Sequence, residues 1–187
     1  MCTALLLVLA LAQLPDMRAV FDLGMTHDVP MFDAFNRGYD LAVSGSVYRA
    51  EVMTEFRRAV LIVHEQSGRG NSGYTVQELT AVLAPVDGQV SFIVEVRINP
   101  LNTFVRPPSY ELYVETGPAT PPLGAKPFAR DPVYPPGFGR GSPMSGIRLE
   151  ASFARSAVEA AAAPTLILMD DHANIVWKAR IDLARYR

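Results

Sequence analysis

The sequence predicts a mainly β protein: an immunoglobulin-like antiparallel β-sandwich preceded by a short helical or irregular N-terminal arm. First, apolar and polar residues alternate along several segments of the second half, as they do in half-buried strands. Second, these segments keep one polar face, whereas strands of a parallel sheet are covered on both faces. Third, 13 glycines and 15 prolines are scattered without a period, which indicates many turns. Two sheets whose apolar faces meet would satisfy all three observations.

Length and composition limit the class of protein. The chain has 187 residues, of which 49% are hydrophobic and 19% charged, a balance that excludes intrinsic disorder. The formal net charge of −2 disfavours a nucleic-acid partner, because no strongly basic surface would attract phosphates. At this length the alternative to the sandwich is a single α+β domain, in which two helices pack on one antiparallel sheet.

The N-terminus is typical of a signal peptide over residues 1–12. Its apolar run, 4–12, is too short to cross a bilayer, which takes about 20 residues, but it has the length of a signal-peptide core. We therefore expect export to the periplasm, the envelope or the medium, although no basic residue precedes the run. The alternative is an apolar helix packed on the domain. Cys2 is the only cysteine, so an exported mature chain would have no disulfide and no thiolate metal site.

An irregular arm is expected over 13–45, and a single sandwich domain without a transmembrane span is expected over 46–187. Within the arm, Asp28 is a suitable cap for a short helix near 30–37 that begins with Pro30.

Two segments are ambiguous between helix and strand. In 47–66, the apolar residues from Val52 to Val63 fall on one helical face, and Gly68 is placed to end a helix. The run 59–63 would also suit a buried strand, so helix is favoured only to about Arg58. In 74–84, a capping-box pattern followed by apolar residues at helical spacing favours a short helix.

The later part of the chain is typical of strands. Alternation or a compact apolar run predicts strands over 90–98, 110–114, 147–153, 165–169 and 175–183. Trp177 falls at an inward position and is expected in the core. A two-turn capped helix is expected to begin at Ser156, in the alanine-rich segment between two of these strands.

The segment 117–145 contains eight of the fifteen prolines and five glycines, which is typical of a long loop. Aromatic side chains on a stiff backbone lose little entropy when they dock, so the segment is a candidate contact surface for another protein or an envelope component. The residues predicted to bind are Phe128, Arg130, Tyr134 and Phe138. The alternative, which the pattern favours, is that the aromatics cover an open edge of the sandwich.

The motifs of common catalytic and cofactor sites fail in context. Gly68–Gly73 fits the dinucleotide-binding pattern, but four polar residues separate it from the preceding apolar run, and the following strand alternates. His64-Glu65 begins like a zinc-protease helix, but Gly68 stands where the second histidine is needed. We therefore predict no cofactor.

Asp170, Asp171 and Asn174 form the densest group of oxygen-bearing side chains, which is chemistry suited to calcium. The same residues are typical of a tight turn, because their side chains bond to nearby backbone, and a turn is favoured.

The sequence thus favours an exported, non-enzymatic protein that acts by protein or ligand binding or by structural contact in the cell envelope. Two alternatives remain. One is an enzyme whose acid–base groups assemble around His64 or His172 with a nearby carboxylate. The other is a calcium-dependent binding module.

Overall fold

The computed structural model describes residues 16–98, 109–117, 120–125, 128–137 and 143–186. The helices are α1 (Met17–Gly24), α2 (Val29–Arg37), α3 (Glu55–Gly68), α4 (Val76–Leu83) and α5 (Arg155–Glu159), with 3-10 turns at Ala84–Val86 and Leu183–Arg185. The strands are β1 (Val47–Met53), β2 (Gln89–Arg97), β3 (Glu111–Glu115), β4 (Leu123–Gly124), β5 (Phe128–Val133), β6 (Gly146–Ala154), β7 (Thr165–Met169) and β8 (Ile175–Arg180).

The described residues fall into two compact units. The first unit contains the described residues within Met1–Phe35 and Glu55–Asp87. The second unit contains the described residues within Asn36–Thr54 and Gly88–Arg187. Helices α3 and α4 therefore belong with the N-terminal helices, a grouping that the sequence did not indicate. The predicted signal peptide lies outside the described residues. Of the helices in the described part of the chain, none combines the length and apolar character that a membrane span requires.

The first unit is held together by an apolar core between its helices. The fully buried members of this core are Val20, Ala59, Val60, Val63, Leu79 and Leu83. Burying one such side chain of valine or leucine size is worth about 1.5–3 kcal/mol relative to exposure. Gly24 permits the close approach of α1 to α3, because a Cβ at this position would lie 2.7 Å from the Cβ of Val63.

The predicted helices are confirmed in part. The α2 helix begins at Val29, one residue before the expected start, and Asp28 caps it by accepting a 3.0 Å hydrogen bond from the Met31 N–H. The α4 helix carries the predicted capping box, in which Thr75 and Glu78 each accept a hydrogen bond from the other's backbone N–H. The helix expected near Ser156 is shorter: α5 begins at Arg155, ends at Glu159 and has no side-chain cap.

The segment 47–66 divides differently from its prediction. Residues 47–53, expected to be helical, form strand β1. Residues 59–65, for which the sequence left helix and strand both open, lie within α3, and this helix ends at Gly68 as predicted. Pairing with β2 overrides the helical pattern of the first part. Ala59, Val60 and Val63 lie on one side of α3 and join the helical core, so the β-branching of the two valines does not make a strand.

The second unit contains two antiparallel four-stranded sheets. Their strand orders are β1-β2-β6-β5 and β4-β3-β7-β8. All five predicted strands are present, and the structure adds β1, β4 and β5. The antiparallel arrangement is therefore confirmed, but the five helices make the fold mixed α+β rather than mainly β.

The polar side of strand β2 was predicted to face solvent, but in the structure it is largely buried. Ser91 and Glu95 are buried as well as the apolar residues on its other face. Their burial is compensated across the sheet, because the Ser91 and Ser152 hydroxyls are hydrogen-bonded at 2.7 Å. The guanidinium groups of Arg49 and Arg148 lie 3.5 and 3.8 Å from Glu95 Oε1. A half-polar strand can thus be covered on both faces when neighbouring strands supply partners.

Candidate functional site

The predicted contact surface at 117–145 is partly built into the sheet. Phe128 and Arg130 lie on β5, the edge strand beside β6, and Pro132 is tolerated there because an edge strand has a side without ladder hydrogen bonds. Tyr134 follows the strand and is half-buried. Phe138 lies outside the described residues. A segment expected to be one long loop therefore contains two short strands.

Two of the predicted binding residues interact within the chain. The Arg130 guanidinium lies 5.2 Å from the centre of the Phe128 ring and donates a 2.5 Å hydrogen bond to the Tyr110 carbonyl oxygen. Tyr110 directly precedes β3 of the other sheet. Arg130 thus links the edge strand of one sheet to the residue that precedes β3 of the other sheet. A binding role for the four residues stays a prediction.

The predicted calcium residues build the turn between β7 and β8. Asp170 Oδ1 accepts hydrogen bonds from the backbone N–H groups of His172 and Asn174, at 2.9 and 2.8 Å. Asp170 Oδ2 accepts a third, of 3.0 Å, from the Asn174 side-chain amide. These bonds favour the charged carboxylate, so those from Asn174 above all lower the pKa of Asp170. The turn also places Ala173 in the left-handed region, at a φ of 61°.

Asp171 and His172 lie beside Asp170 in the same turn. His172 Nδ1 is 2.8 Å from Asp171 Oδ1, and ligand atoms of the three residues lie within 4.8 Å of one another. A cavity of about 340 Å³ next to them is lined by Asp170, Asp171, Glu111 and Tyr113, among others. Burial raises the pKa of Tyr110, and the nearby carboxylates of Asp170 and Asp171 raise it further. The structure therefore brings the predicted residues Asp170 and Asp171 together, but the Asp170 carboxylate already accepts hydrogen bonds within the turn.

His64 has a structural position in the helical unit. Its ring stacks on Phe32, with 3.7 Å between the ring centres, and its Nδ1 lies 3.1 Å from the carbonyl oxygen of Gly24. That carbonyl ends α1, so His64 satisfies a helix terminus. His172 is the histidine that meets the expectation of a carboxylate within hydrogen-bonding distance.

A larger concave surface, which the sequence did not indicate, lies in the second unit. We call it the C-terminal cleft: it has a volume of about 750 Å³ and lies between residues 158–164 and residues 180–184. One wall is the end of α5 with the alanine-rich turn after it, and the other is the end of β8 with the 3-10 turn at Leu183–Arg185. The Ile181 N–H donates a 2.8 Å hydrogen bond to the Pro164 carbonyl oxygen and ties the two walls together.

The charged groups of the cleft differ in their partners. Glu159 is paired with Arg155, whose Nε lies 2.7 Å from its carboxylate. Arg180 and Asp182 also line the cleft, and neither forms an ion pair or a side-chain hydrogen bond with any residue that the structure describes. Asp182 occupies the cap position of the last 3-10 turn, where its carbonyl oxygen accepts a hydrogen bond from the Arg185 N–H but its carboxylate accepts none. The cleft therefore contains one cationic and one anionic side chain that form no ion pair or hydrogen bond with the described residues.

The lining of the cleft is partly charged and partly apolar. Its ionisable groups are the carboxylates of Glu159 and Asp182 and the guanidinium of Arg180. Among the described residues that line it, none carries a hydroxyl, a thiol or an imidazole. Its apolar part consists of small and medium side chains, including Ala161, Ala162 and Leu183.

Comparison of the chain with protein-family models, with curated protein sequences and with solved structures finds no significant match.

Proposed function

We propose that this protein is a non-enzymatic ligand-binding protein and that the C-terminal cleft is its binding site. One observation carries the proposal: Arg180 and Asp182, of opposite charge, line one cleft, and neither side chain forms an ion pair or a hydrogen bond with the described residues. The volume of about 750 Å³ falls within the range of about 300–1,000 Å³ that is typical of small-ligand pockets. A few charged groups among apolar walls are the usual composition of such sites.

Two further proposals complete this account. The first is export to the periplasm, envelope or medium, which rests on the apolar run 4–12 and its ending in small residues. The second is that the two sheets form an immunoglobulin-like sandwich. It is supported by Arg130 and Trp177, each of which donates a hydrogen bond to a backbone carbonyl next to a strand of the other sheet.

A matched pair of variants tests the binding site. Ala162 and Ala163 are both exposed neighbours in the alanine-rich turn, but only Ala162 lines the cleft. The probe is 1-anilinonaphthalene-8-sulfonate, whose fluorescence rises when its aromatic rings enter an apolar site. We expect Ala162→Trp to fill the cleft and weaken probe binding, and Ala163→Trp to leave it unchanged. Equal binding by both variants, or no binding by the unaltered protein, would contradict the proposal.

A calcium-dependent binding role is the second candidate. It is favoured by the carboxylates of Asp170 and Asp171, which offer ligand oxygens within 4.8 Å of one another, and by Glu111, which lines the adjacent cavity. Carboxylate oxygens are the ligands that calcium prefers, and Asn174 could add its amide oxygen.

A further inference from the structure

We propose that the ligand of the C-terminal cleft is an unblocked short peptide, bound by its free carboxylate and its free ammonium group. This inference rests on the proposed function and names the class of ligand. The recognising groups are the Arg180 guanidinium and the Asp182 carboxylate, with the apolar wall contacting the side chains between the two termini.

Arg180 supplies the group that suits a carboxylate. Its side chain is exposed at the end of β8 and has no ion pair or hydrogen bond with the described residues. A guanidinium presents a planar fork of N–H donors, which matches the two oxygens of a carboxylate and binds both at once. A ligand can therefore bind the Arg180 guanidinium without breaking an ion pair or hydrogen bond to another described residue.

Asp182 supplies the group that suits an ammonium. A carboxylate that precedes a helical turn normally accepts a hydrogen bond from that turn, but Asp182 does not. Its acceptor oxygens therefore remain available. Arg180 and Asp182 flank the buried Ile181, and residues two apart in extended backbone lie on one side at a separation of about 7 Å. The two charges are thus presented side by side on one wall of the cleft.

Together, Arg180 and Asp182 disfavour a ligand that carries charge of one sign only. A phosphate or another dianion would be repelled by Asp182, and a metal cation would be repelled by Arg180. A ligand that carries both charges satisfies both groups. The cleft is also large enough for more than one residue, and Ala161, Ala162 and Leu183 offer contacts to small apolar side chains. Free amino acids share the same pair of charges, so the test has to separate them from peptides.

The experiment measures the affinity of the full chain by isothermal titration calorimetry. The probes are trialanine, alanine, N-acetyl-trialanine, trialanine amide and trialanine blocked at both ends. We expect trialanine to bind more tightly than alanine and than all three blocked peptides. Removing one charge-assisted contact should weaken trialanine binding about tenfold, which corresponds to about 1.4 kcal/mol.

Two variants assign each terminus to its partner, and a third is the control. Arg180→Gln should weaken trialanine about tenfold but leave trialanine amide unaffected, because the amide has no carboxylate to lose. Asp182→Asn should likewise weaken trialanine and leave N-acetyl-trialanine unaffected. Lys178→Gln is the matched control: Lys178 is an exposed cation on the same strand that does not line the cleft, and its variant should bind like the unaltered protein.

The outcomes separate the ligand class from the proposed function. If the doubly blocked peptide binds as tightly as trialanine, and Ala162→Trp abolishes both, the cleft binds ligands but the charge inference is wrong. If alanine binds as tightly as trialanine, the ligand is an amino acid and the peptide inference is wrong. If none of these probes binds and the fluorescent probe is also unaffected by Ala162→Trp, the proposed function itself is wrong.

Discussion

The indole Nε1 of Trp177 donates a hydrogen bond of 3.2 Å to the carbonyl oxygen of Ala42, which lies 135 residues earlier in the chain. Trp177 is in β8 and is only 4% exposed, whereas Ala42 precedes β1 of the other sheet. The same side chain therefore fills part of the core and satisfies a backbone acceptor. This contact and the hydrogen bond from Arg130 to Tyr110 join the segments of the two sheets at separate places.

Replacing Trp177 tests that connection. We expect Trp177→Phe to lower the free energy of unfolding by about 1–3 kcal/mol, because it removes buried area and the hydrogen bond to Ala42. Urea unfolding followed by circular dichroism measures the change. Ile175→Ala on the same strand is the control: Ile175 is 59% exposed, so its variant should stay within about 0.5 kcal/mol of the unaltered protein. Equal losses in both variants would show that the Trp177 contact contributes little.

Gly24 tests the close packing of α1 on α3. An added Cβ would meet the Cβ of Val63 at 2.7 Å and the backbone oxygen of Val60 at 3.0 Å. Since backbone cannot move aside cheaply, we expect Gly24→Ala to destabilise the helical unit by about 1–3 kcal/mol. At Gly68, nothing in the described residues lies within 4 Å of the added atom, so Gly68→Ala should be neutral or slightly stabilising. Thermal unfolding of the two variants makes the comparison, and similar melting temperatures would contradict this packing.

Asp170 makes the turn between β7 and β8 sensitive to acid. Hydrogen bonds from Asn174 and His172 lower its pKa below the ordinary value of 3.8. The Asp170 carboxylate therefore contributes fully to stability above its pKa in the unfolded chain. This contribution is lost as the pH falls through its lower pKa in the folded protein. We expect Asp170→Ala to lower the melting temperature at pH 7 and to flatten its fall in acid. Asp171→Ala, which leaves the three hydrogen bonds that Asp170 accepts in place, is the control. Identical melting temperatures for the two variants across the pH range would contradict this role.

Calcium addition tests the second candidate function. If the acidic turn binds calcium, millimolar calcium should raise the melting temperature of the full chain by ligand linkage. Asp171→Asn should remove the increase, because it removes a carboxylate ligand without breaking the hydrogen bonds that Asp170 accepts. Magnesium at the same concentration controls for ionic strength. The candidate is discarded if the melting temperature is the same with and without calcium.

The sequence predicted the strands in which apolar and polar residues alternate regularly. It did not predict the strands that depend on pairing with a distant part of the chain. The sequence predicts helix for β1 because Val52 and Met53 share a helical face with the apolar residues that follow, whereas pairing with β2 makes this segment extended. Strand β5 falls in a segment whose prolines and glycines predict a loop, and its Pro132 is permitted at an edge position. Asp170 was recognisable because the bonds that it makes are local in the chain.

The C-terminal cleft was not predictable in the same way. Its walls, residues 158–164 and 180–184, belong to separate elements, and no spacing along the chain brings them together. Arg180 and Asp182 alternate with the apolar Ile181 and Leu183, so they read as the solvated side of a strand. Only the fold shows that they share a concave surface and that neither has a partner among the described residues.

Backbone amide shifts of the ¹⁵N-labelled full chain during titration with trialanine test the central claim most directly. Our account predicts that the resonances that move belong to the walls of the C-terminal cleft, with Ala161, Ala162, Ile181 and Leu183 among them. Saturating shifts at Tyr110, Phe128 and Arg130 instead, with the cleft resonances unchanged, would place binding at the sheet edge and contradict the account.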